Sequence, residues 1–251
     1  MNTMKQMRNC MYALGILLFA GFLSVNAQTT NKGYRDQVRL TIGVASNHAI
    51  DAEISYHHMF LPYVGIGGGI GLMGQYDYNK TPFGEIASSN STRAFWGLDK
   101  DQRKIVRPYL RPSLILRTPT LIKMGKERDF RLRLEIEPGV QLTVPYTRTR
   151  INYVWYPQQG GSYPAIGDDY DDIPLQTENY SSRRGTWCFW NLKNSITVSN
   201  DHVSFSLGYS ISNFDIYSIR RNIVVEGVSF HQFYPKKEYT HCVFAGIGYA
   251  F

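Results

Sequence analysis

The sequence of 251 residues predicts an all-β fold, an eight-stranded antiparallel transmembrane β-barrel with long extracellular loops. Three observations predict it. First, large apolar side chains recur at every second position in eight segments, the period of a strand whose two faces meet different surroundings. Second, the last of these segments ends on an aromatic residue, Phe251. Third, short turns alternate with long connections, as they do in outer-membrane barrels.

The eight predicted strands differ in how clearly they alternate. The segment 130 to 142 is the clearest, with apolar side chains between arginines and glutamates, and the segment 63 to 76 has glycine at many alternate positions. Pro108, Pro112 and Pro138 fall inside predicted strands, where each removes a ladder donor, so irregular pairing is expected there. The predicted strands span residues 37 to 46, 49 to 60, 63 to 76, 106 to 117, 130 to 142, 186 to 198, 203 to 212 and 238 to 251.

The N-terminal residues 1 to 27 have the pattern of a secretory signal peptide. Lys5 and Arg8 precede an apolar run, and small residues lead to an expected cleavage site after Ala27. The apolar core is short for a membrane span, and polar residues follow it directly. We therefore predict export, with a mature barrel domain over residues 28 to 251.

Charge and cysteine usage narrow the possible partners and chemistry. The net charge of +7 falls to +5 when Lys5 and Arg8 are removed, and the basic residues are spread along the strands. A nucleic-acid partner is not expected, because it would require a basic patch or stripe. Cys188 and Cys242 lie in predicted strands, where unpaired apolar side chains are favoured, although an exporting compartment also allows a disulfide. No metal or cofactor is predicted.

A soluble lipocalin-like barrel is the alternative fold, because the period alone does not say which face is inside. The glycines of 65 to 71 and the serines of 204 to 210 leave one face nearly without side chains, which favours a membrane barrel whose lumen holds bulky groups from other strands. The polar face then lines the lumen.

Charges in such a lumen are expected to pair, since an unpaired buried ion is costly. An eight-stranded barrel is just wide enough for side chains to fill, so we predict a plugged interior, with a charged selectivity path as the alternative. The candidate lumen charge network comprises Arg39, Asp51, Glu53, Arg107, Arg111, Arg131, Arg133, Glu135, Glu137 and Lys193.

Two segments, the glycine-rich residues 64 to 72 and the final residues 246 to 251, are similar to segments of a known family of barrels. Residues 36 to 251 resemble the small eight-stranded outer-membrane β-barrels of the OmpA/OmpX type, in the form common in Bacteroidota, including PorT-like barrels. The resemblance implies the outer membrane of a Gram-negative bacterium, contact with outer-membrane lipid, and recognition by the barrel-assembly machinery through the C-terminal strand ending in Phe251. Such barrels serve as adhesins, structural barrels, secretion accessories or lipid-modifying enzymes, and the fold does not choose among them.

An enzymatic role is the least favoured. Outer-membrane lipid A deacylases resemble one another in a His-x-Ser-Asn motif, in which the histidine activates the serine. The nearest match here is the segment 210 to 213, with Ser210 at the histidine position. His48 and His57 are isolated histidines of the kind that are usually structural. The chain is therefore predicted not to be an enzyme.

The connection 145 to 185 carries the strongest indication of binding. Its aromatics and its acidic cluster suit recognition of an extracellular or envelope protein or of a glycan. The carboxylates could hold calcium, but the full spaced ligand pattern is missing, so a solvated acidic loop with aromatics at the lipid interface is the alternative. The candidate loop residues are Tyr153, Trp155, Tyr156, Asp168, Asp169, Asp171 and Asp172. The sequence thus predicts a non-enzymatic barrel that binds through its loops, with an accessory subunit of an envelope assembly or secretion complex as the alternative.

Overall fold

The structure is a computed structural model that describes residues 36–76, 81–86, 92–125, 130–157 and 176–251. The predicted signal peptide, residues 1 to 27, lies outside these ranges. Within them, the chain forms strands and short 3₁₀ helices, and no helix is long and apolar enough to cross a membrane. The strands are β1 (Asp36–Ala45), β2 (Ala49–Met59), β3 (Val64–Gln75), β4 (Phe83–Ile86), β5 (Thr92–Leu98), β6 (Val106–Arg117), β7 (Ile122–Met124), β8 (Phe130–Leu142), β9 (Thr147–Pro157), β10 (Gln176–Ser182), β11 (Cys188–Ser199), β12 (Val203–Ser212), β13 (Val224–Val225), β14 (Val228–Ser229) and β15 (Thr240–Ala250), and the 3₁₀ helices are Lys100–Gln102, Ile216–Ile219 and Phe230–Gln232.

Eight strands close into an antiparallel barrel. They are β1, β2, β3, β6, β8, β11, β12 and β15, each paired with the next, and β1 and β15 complete the ring. Their bounds lie within two residues of the predicted ones. The predicted eight-stranded antiparallel barrel is therefore confirmed.

The pairing is staggered around the barrel. Cross-strand partners followed from Gln37 lead around the ring to Thr240, which lies two residues before Cys242, the partner of Ala45. One turn around the barrel along paired residues therefore starts at position 37 and returns to the chain at position 47, ten residues further on. Strands staggered in this way tilt by about 40° from the barrel axis, and eight of them enclose a space that side chains fill. The path runs through His57, Gly67, Ser113, Gly139, Asn191, Ser212 and Thr240.

The prolines interrupt one strand interface and leave the other intact. β6 pairs continuously with β3 through Pro108 and Pro112. Between β6 and β8 the register stays constant, but pairs are missing around Pro112 and Pro138, where no amide hydrogen is available. The expected irregular pairing is confirmed at this interface, and it occurs without a change of register. The remaining pairs are Leu110 with Leu142, Ser113 with Gly139, Leu116 with Ile136 and Arg117 with Glu135.

The outer face of the barrel is apolar and the inner face is polar. Most apolar side chains of the barrel strands are exposed, whereas arginines, glutamates and serines of the same strands are buried. Tyr56 and Tyr249 lie near the end with short turns, and Trp190 and Tyr239 lie near the other end, as aromatic girdles do. The lipocalin-like alternative is wrong, because it requires the opposite arrangement. Exposed apolar residues include Val38, Leu40, Ile42, Val44, Ile50, Ile54, Ile66, Ile70, Leu72, Leu110, Leu134, Ile136, Ile196, Phe205, Leu207, Val243 and Ile247.

The long connections, predicted as loops, contain secondary structure. The connections β3–β6 and β8–β11 contribute a second sheet with the order β10-β9-β5-β4. The segment 213 to 237 holds two 3₁₀ helices and the β13–β14 hairpin. Their apolar residues pack together over the end of the barrel that carries these connections. We call the second sheet and residues 213 to 237 the cap.

Candidate functional site

The centre of the lumen is occupied by a carboxylate that cations from two other strands neutralise. Glu53 of β2 accepts two hydrogen bonds from Arg111 of β6, from Nε and from an Nη, each at 2.7 Å. Lys193 of β11 donates to the same carboxylate at 2.9 Å. All three side chains are buried. Paired Nε and Nη donation is the geometry that makes an arginine–carboxylate contact strong.

A second arginine extends the network toward the end with short turns. Arg39 of β1 donates to Glu135 at 2.7 Å and to Glu137 at 3.1 Å, both on β8. Arg111 also donates to Glu137 at 3.0 Å and so joins the two groups. Arg117 donates to Glu135 at 2.8 Å at the rim of the barrel. The ion pairs thus form one continuous set of contacts across the lumen.

A tyrosine connects the fourth carboxylate to this set. Tyr109 donates to Asp51 at 2.6 Å and lies 3.1 Å from Glu53. The network then contains four cations and four carboxylates, so its formal charges cancel. Buried ions are tolerated when they are paired and hydrogen-bonded, which is the case here. Its charged members are Arg39, Arg111, Arg117, Lys193, Asp51, Glu53, Glu135 and Glu137.

Seven of the ten predicted lumen residues lie together in this network, and three do not. Arg107 is buried in the lumen but contacts the cap. Arg131 and Arg133 lie at the end with short turns, where Arg131 pairs with Asp201 at 3.3 Å on the surface. The seven are Arg39, Asp51, Glu53, Arg111, Glu135, Glu137 and Lys193.

Sequence reasoning did not assign Arg117 and Tyr109 to the network. Arg117 is the last residue of β6, where the alternation ends and the direction of a side chain is hard to predict. Tyr109 has the period of the polar face, which was the available signal. Its role depends on how far along the barrel axis Asp51 and Glu53 lie. The alternation of side chains along a strand does not give that position.

Small residues make room for these long side chains. A Cβ atom placed on Gly71 would lie 2.2 Å from Cζ of Tyr109, and one on Gly69 would lie 2.9 Å from Cδ of Glu53. Facing them, β12 contributes serines such as Ser204 and Ser206, both buried. The glycines of β3 are thus required by the charged side chains that cross the lumen.

One serine, one histidine and one carboxylate lie together in the lumen without the geometry of a catalytic triad. Nε2 of His57 is 3.1 Å from Oγ of Ser55 and 3.9 Å from Glu137. Both contacts use the same ring nitrogen, whereas a triad histidine contacts the serine and the acid through different nitrogens. All three side chains are buried. The contact is a structural one.

The deacylase-like segment is also far from catalytic geometry. Ser210 and Ser212 face the lumen and are buried. Oγ of Ser212 accepts a hydrogen bond from the backbone of Phe214, which begins the cap. His241 points outward beside Tyr209. Neither serine has a histidine as its general base.

The cap closes the mouth of the barrel with aromatic side chains. Phe230 is fully buried and stacks on Trp96 of the second sheet, with ring centroids 6.0 Å apart. Phe214 packs against Phe189 of the barrel at 4.9 Å. One buried apolar cluster therefore runs from the barrel strands through residues 213 to 237 to the second sheet.

Arg107 joins the cap to the barrel. Its guanidinium donates to the carbonyl of Asp215 and to Oγ of Ser218, each at 2.8 Å. It also donates to Oγ1 of Thr143 at 3.1 Å and to the carbonyl of Thr186 at 3.0 Å. These contacts connect β6 to the residues that flank β8 and β11 and to the start of the cap through one side chain.

Two more hydrogen bonds hold the cap over the mouth. Gln75, at the end of β3, donates to the hydroxyl of Tyr217 at 2.7 Å. Thr240, at the start of β15, donates to the carbonyl of Phe214 at 2.8 Å. The cap is thus fixed to β3 and β15 as well as to β6.

The predicted loop residues fall into three groups. Tyr153 is buried in the cap, where its hydroxyl lies 2.5 Å from that of Tyr180 and 3.3 Å from Glu226. Burial, and then the contact with Tyr180, raises the pKa of Tyr153 above its usual value. Trp155 and Tyr156 belong to β9, and their side chains lie outside the described set. Outside the described residues also lie Asp168, Asp169, Asp171 and Asp172.

The outer face of the second sheet presents hydrogen-bonding groups. Nε of Arg148 donates to Oδ1 of Asn179 at 3.1 Å, and Oγ1 of Thr177 donates to Oδ1 of Asn152 at 3.0 Å. Arg150 lies beside them and pairs with Asp99 at 3.2 Å. Guanidinium, amide and hydroxyl groups therefore lie in one exposed layer on β9 and β10.

Cys242 is a free thiol, so it does not pair with Cys188. Within the described ranges, no group of three or more histidine, cysteine, aspartate or glutamate side chains is placed to hold a metal ion.

A closed barrel with an apolar outer surface and a charged interior is a membrane-spanning barrel of the outer-membrane type. The protein therefore belongs, by its architecture, to the membrane-spanning β-barrels of this type.

Comparison with known proteins gives matches among solved structures alone. No family model matches the sequence, and no curated protein matches it. Among solved structures, the chain is similar to Neisserial surface protein A, with 11% identity, coverage of 86% of this chain and 96% of that one, and a TM-score of 0.40. It is also similar to the N-terminal β-barrel domain of Pseudomonas aeruginosa OprF, with 8% identity, coverage of 87% and 98%, and a TM-score of 0.40. A third is Ail, the attachment invasion locus protein of Yersinia pestis, with 8% identity, coverage of 86% and 96%, and a TM-score of 0.33.

Proposed function

We propose that this protein is a non-conducting, non-enzymatic outer-membrane barrel that binds a glycan through the outer face of its cap sheet. The observation that carries the proposal is the double closure of the barrel. The charged network fills the lumen, and the aromatic cap covers one mouth. A lumen filled and covered in this way supports a function carried by the surface of the protein instead of transport through the barrel.

The outer face of β9 and β10 is the surface best suited to that role. Saccharides present many hydroxyl groups, and planar amide and guanidinium groups at fixed spacing are good partners for them. Arg148, Asn152, Thr177 and Asn179 supply such groups on a rigid sheet. Phe83, exposed on β4 at the far edge of the same sheet, adds an aromatic surface. In this proposal the cap faces the cell exterior.

Conductance in planar lipid bilayers tests the closed lumen. We expect the purified barrel to insert without opening ion channels at low voltage. The Glu53→Gln variant leaves Arg111 and Lys193 without their shared carboxylate. If any change opens the lumen to ions, we expect channel currents with this variant and none with the wild-type protein. Steady channels from the wild-type protein would refute the non-conducting barrel.

Binding to an immobilised panel of bacterial and host glycans tests the cap surface. The double variant Arg148→Ser and Asn179→Ser should lose binding while it keeps the slower migration of a folded barrel on unheated gels. Lys236→Ser, an exposed basic position in the segment 213 to 237, is the control and should bind as the wild type does. Equal binding by both variants would exclude the sheet face as the site.

An accessory role in an envelope assembly or secretion complex, as in PorT-like barrels, is the competing proposal. It requires a stoichiometric protein partner, which co-purification from gently solubilised outer membranes would recover. Recovery of such a partner by wild type and by the Arg148→Ser and Asn179→Ser variant alike, without glycan binding, would favour the accessory role.

A further inference from the structure

The barrel carries a projecting hairpin at the end with short turns. Arg117, the last residue of β6, pairs with Glu135, but β8 continues from there to Phe130. β7 pairs with this continuation, with Ile122 opposite Leu132 and Met124 opposite Phe130. We call β7 and residues 130 to 133 of β8 the rim hairpin.

The outer face of the rim hairpin is apolar. Ile122 is 54% exposed and Phe130 is 43% exposed, and both continue the row of lipid-facing residues that Leu134 and Ile136 form on β8. Met124, opposite Phe130 on the same face, is 36% exposed. A side of a hairpin that extends a lipid-facing row is expected to remain in contact with lipid.

The other face is basic. Lys123 lies opposite Arg131 in the ladder, and Arg133 follows on the same face of β8. Arg133 lies within electrostatic range of Arg131 and Arg117, so these cations lie close together. Among the described residues around them, the carboxylate of Asp201 contacts Arg131 at the surface, and Glu135 is engaged in the lumen network. The intervening residues 126 to 129 contain two basic and two acidic residues, so the basic excess remains.

The depth of the hairpin follows from the outward-facing residues at the same rim. Asp36 and His58 form a polar pair at 2.7 Å on the outside of β1 and β2, where the hydrocarbon layer must end. The rim hairpin extends beyond the last β6 pair and reaches the β11–β12 turn that holds Asp201. Beyond the hydrocarbon lies a headgroup layer of roughly 5 to 8 Å on each side of the bilayer. The hairpin therefore lies at headgroup depth.

We propose that the rim hairpin binds the anionic headgroups of phospholipids in the leaflet at this end of the barrel. Its apolar face rests against the acyl-chain boundary. Lys123, Arg131 and Arg133 reach around the narrow β7 edge to the phosphate groups, because long basic side chains extend to the polar interface. Basic residues beside a membrane surface attract anionic lipids, at about fivefold in affinity for each cation.

Lipid is favoured over a protein partner by two features of the hairpin. Its apolar face is continuous with the lipid-facing surface of the barrel. Its free edge, β7, is only three residues long, which offers little ladder to an added strand. Both features suit a lipid layer that contacts the whole circumference of the barrel.

The test compares retention of phosphatidylglycerol and phosphatidylcholine. The full-length mature barrel is reconstituted in vesicles that contain the two lipids at three parts phosphatidylcholine to one part phosphatidylglycerol, then extracted gently, and native mass spectrometry counts the lipids that remain bound. We expect wild-type protein to retain phosphatidylglycerol preferentially. The triple variant Lys123→Gln, Arg131→Gln and Arg133→Gln should lose at least tenfold of that preference.

A matched triple variant at the other end of the molecule controls for total charge. Arg183→Gln, Arg184→Gln and Lys236→Gln remove three exposed basic residues at the end of the barrel that carries the cap, and the preference should remain as in the wild type. If the rim triple variant does not fold, Lys123→Gln alone on the exposed β7 serves, with an expected loss of about fivefold. Absence of a preference in the wild type, or an equal loss in both triple variants, would overturn the proposal. Recovery of a stoichiometric protein on the hairpin in place of lipid would overturn it as well.

Discussion

The lumen and the cap close the same barrel in different ways. In the lumen, long charged side chains from opposite walls meet at hydrogen-bonding distance, and their charges cancel. In the cap, aromatic and aliphatic side chains pack together at the mouth, and Arg107 with a few hydrogen bonds fixes them to the barrel. The closure of the lumen depends on ion pairs, and the closure by the cap depends on the packing of apolar side chains.

The difference predicts how each region responds to damage. A buried ion that loses its partner remains buried and charged, so its cost is felt by the whole barrel. An aromatic side chain that is truncated leaves a cavity, whose cost falls on the elements that lined it. The lumen should therefore fail as part of the barrel, and the cap should loosen on its own.

The largest effect is expected from Glu53→Gln. The change removes the carboxylate shared by Arg111 and Lys193 and should lower the free energy of unfolding by about 3 to 5 kcal/mol. Urea unfolding in lipid vesicles, followed by tryptophan fluorescence, measures it. Glu238→Gln makes the same chemical change at an exposed position and should alter stability by less than about 0.5 kcal/mol. Equal stability of the two variants would show that the lumen ions contribute no more than surface ions.

Phe230→Ala is expected to have a similar local cost that is confined to the cap. Loss of this fully buried ring should destabilise the cap by about 3 to 5 kcal/mol. Hydrogen exchange measured by mass spectrometry should then rise in residues 214 to 234 while β1 and β2 stay protected. Val224→Ala truncates a side chain of the same segment that is 53% exposed, and its exchange should match the wild type. Faster exchange in β1 and β2 would show that the cap and the barrel form one cooperative unit.

A smaller effect is expected where space, rather than charge, limits the lumen. Gly71→Ala places a Cβ atom 2.2 Å from Cζ of Tyr109, which must shift and disturb its contact with Asp51. The expected loss is about 1 to 3 kcal/mol. Gly68→Ala on the same strand is the matched control, since its Cβ meets nothing within 4 Å. If the two variants unfold at the same urea concentration, Tyr109 has room to move away from the added methyl group.

The smallest effect is expected at the junction of the two regions. Tyr217→Phe removes the hydroxyl that accepts from Gln75 and should cost about 1 kcal/mol. Thermal unfolding followed by near-ultraviolet circular dichroism should report it as a small decrease in the cap transition. Tyr239→Phe, on the exposed outer surface, should leave that transition in place. A lower unfolding temperature of the barrel in Tyr217→Phe would show that this hydrogen bond couples the stability of the cap to that of the strands.

The sequence predicted the barrel well because alternation separates the two faces of each strand, and the glycines of 65 to 71 and the serines of 204 to 210 indicate which face lines the lumen. It did not report depth. Arg111 and Arg131 have the same parity on their strands, yet one lies at the centre of the lumen and the other lies at the surface of the rim. Depth depends on the stagger between strands, which is set by pairs distant in the sequence. Arg107 was predicted in the lumen, where it lies, but its contact with the cap near the other mouth depends on depth in the same way.

The cap was harder to predict, for reasons visible in its residues. β10 is polar throughout, so it has no apolar period to detect. Residues 213 to 237 place their buried aromatics on short 3₁₀ turns, whose irregular spacing fits neither a strand nor an α-helix. β9 did carry a signal, because Thr147, Thr149, Ile151 and Tyr153 alternate with polar residues and are all buried.

The seam between β1 and β15 has a consequence for the order of folding. More than 200 residues of chain separate Gln37 from its partner Ala250, and the amide of Phe251 donates to the carbonyl of Asp36. Before this seam forms, β1 and β15 are sheet edges whose amides and carbonyls find no partner in hydrocarbon. Contacts between residues so far apart in the sequence form slowly, because the chain loses conformational entropy on closure before the strand contacts stabilise it. Insertion and closure are therefore one late, all-or-none event, and the kinetic barrier to it lies in bringing the two strands of the seam together.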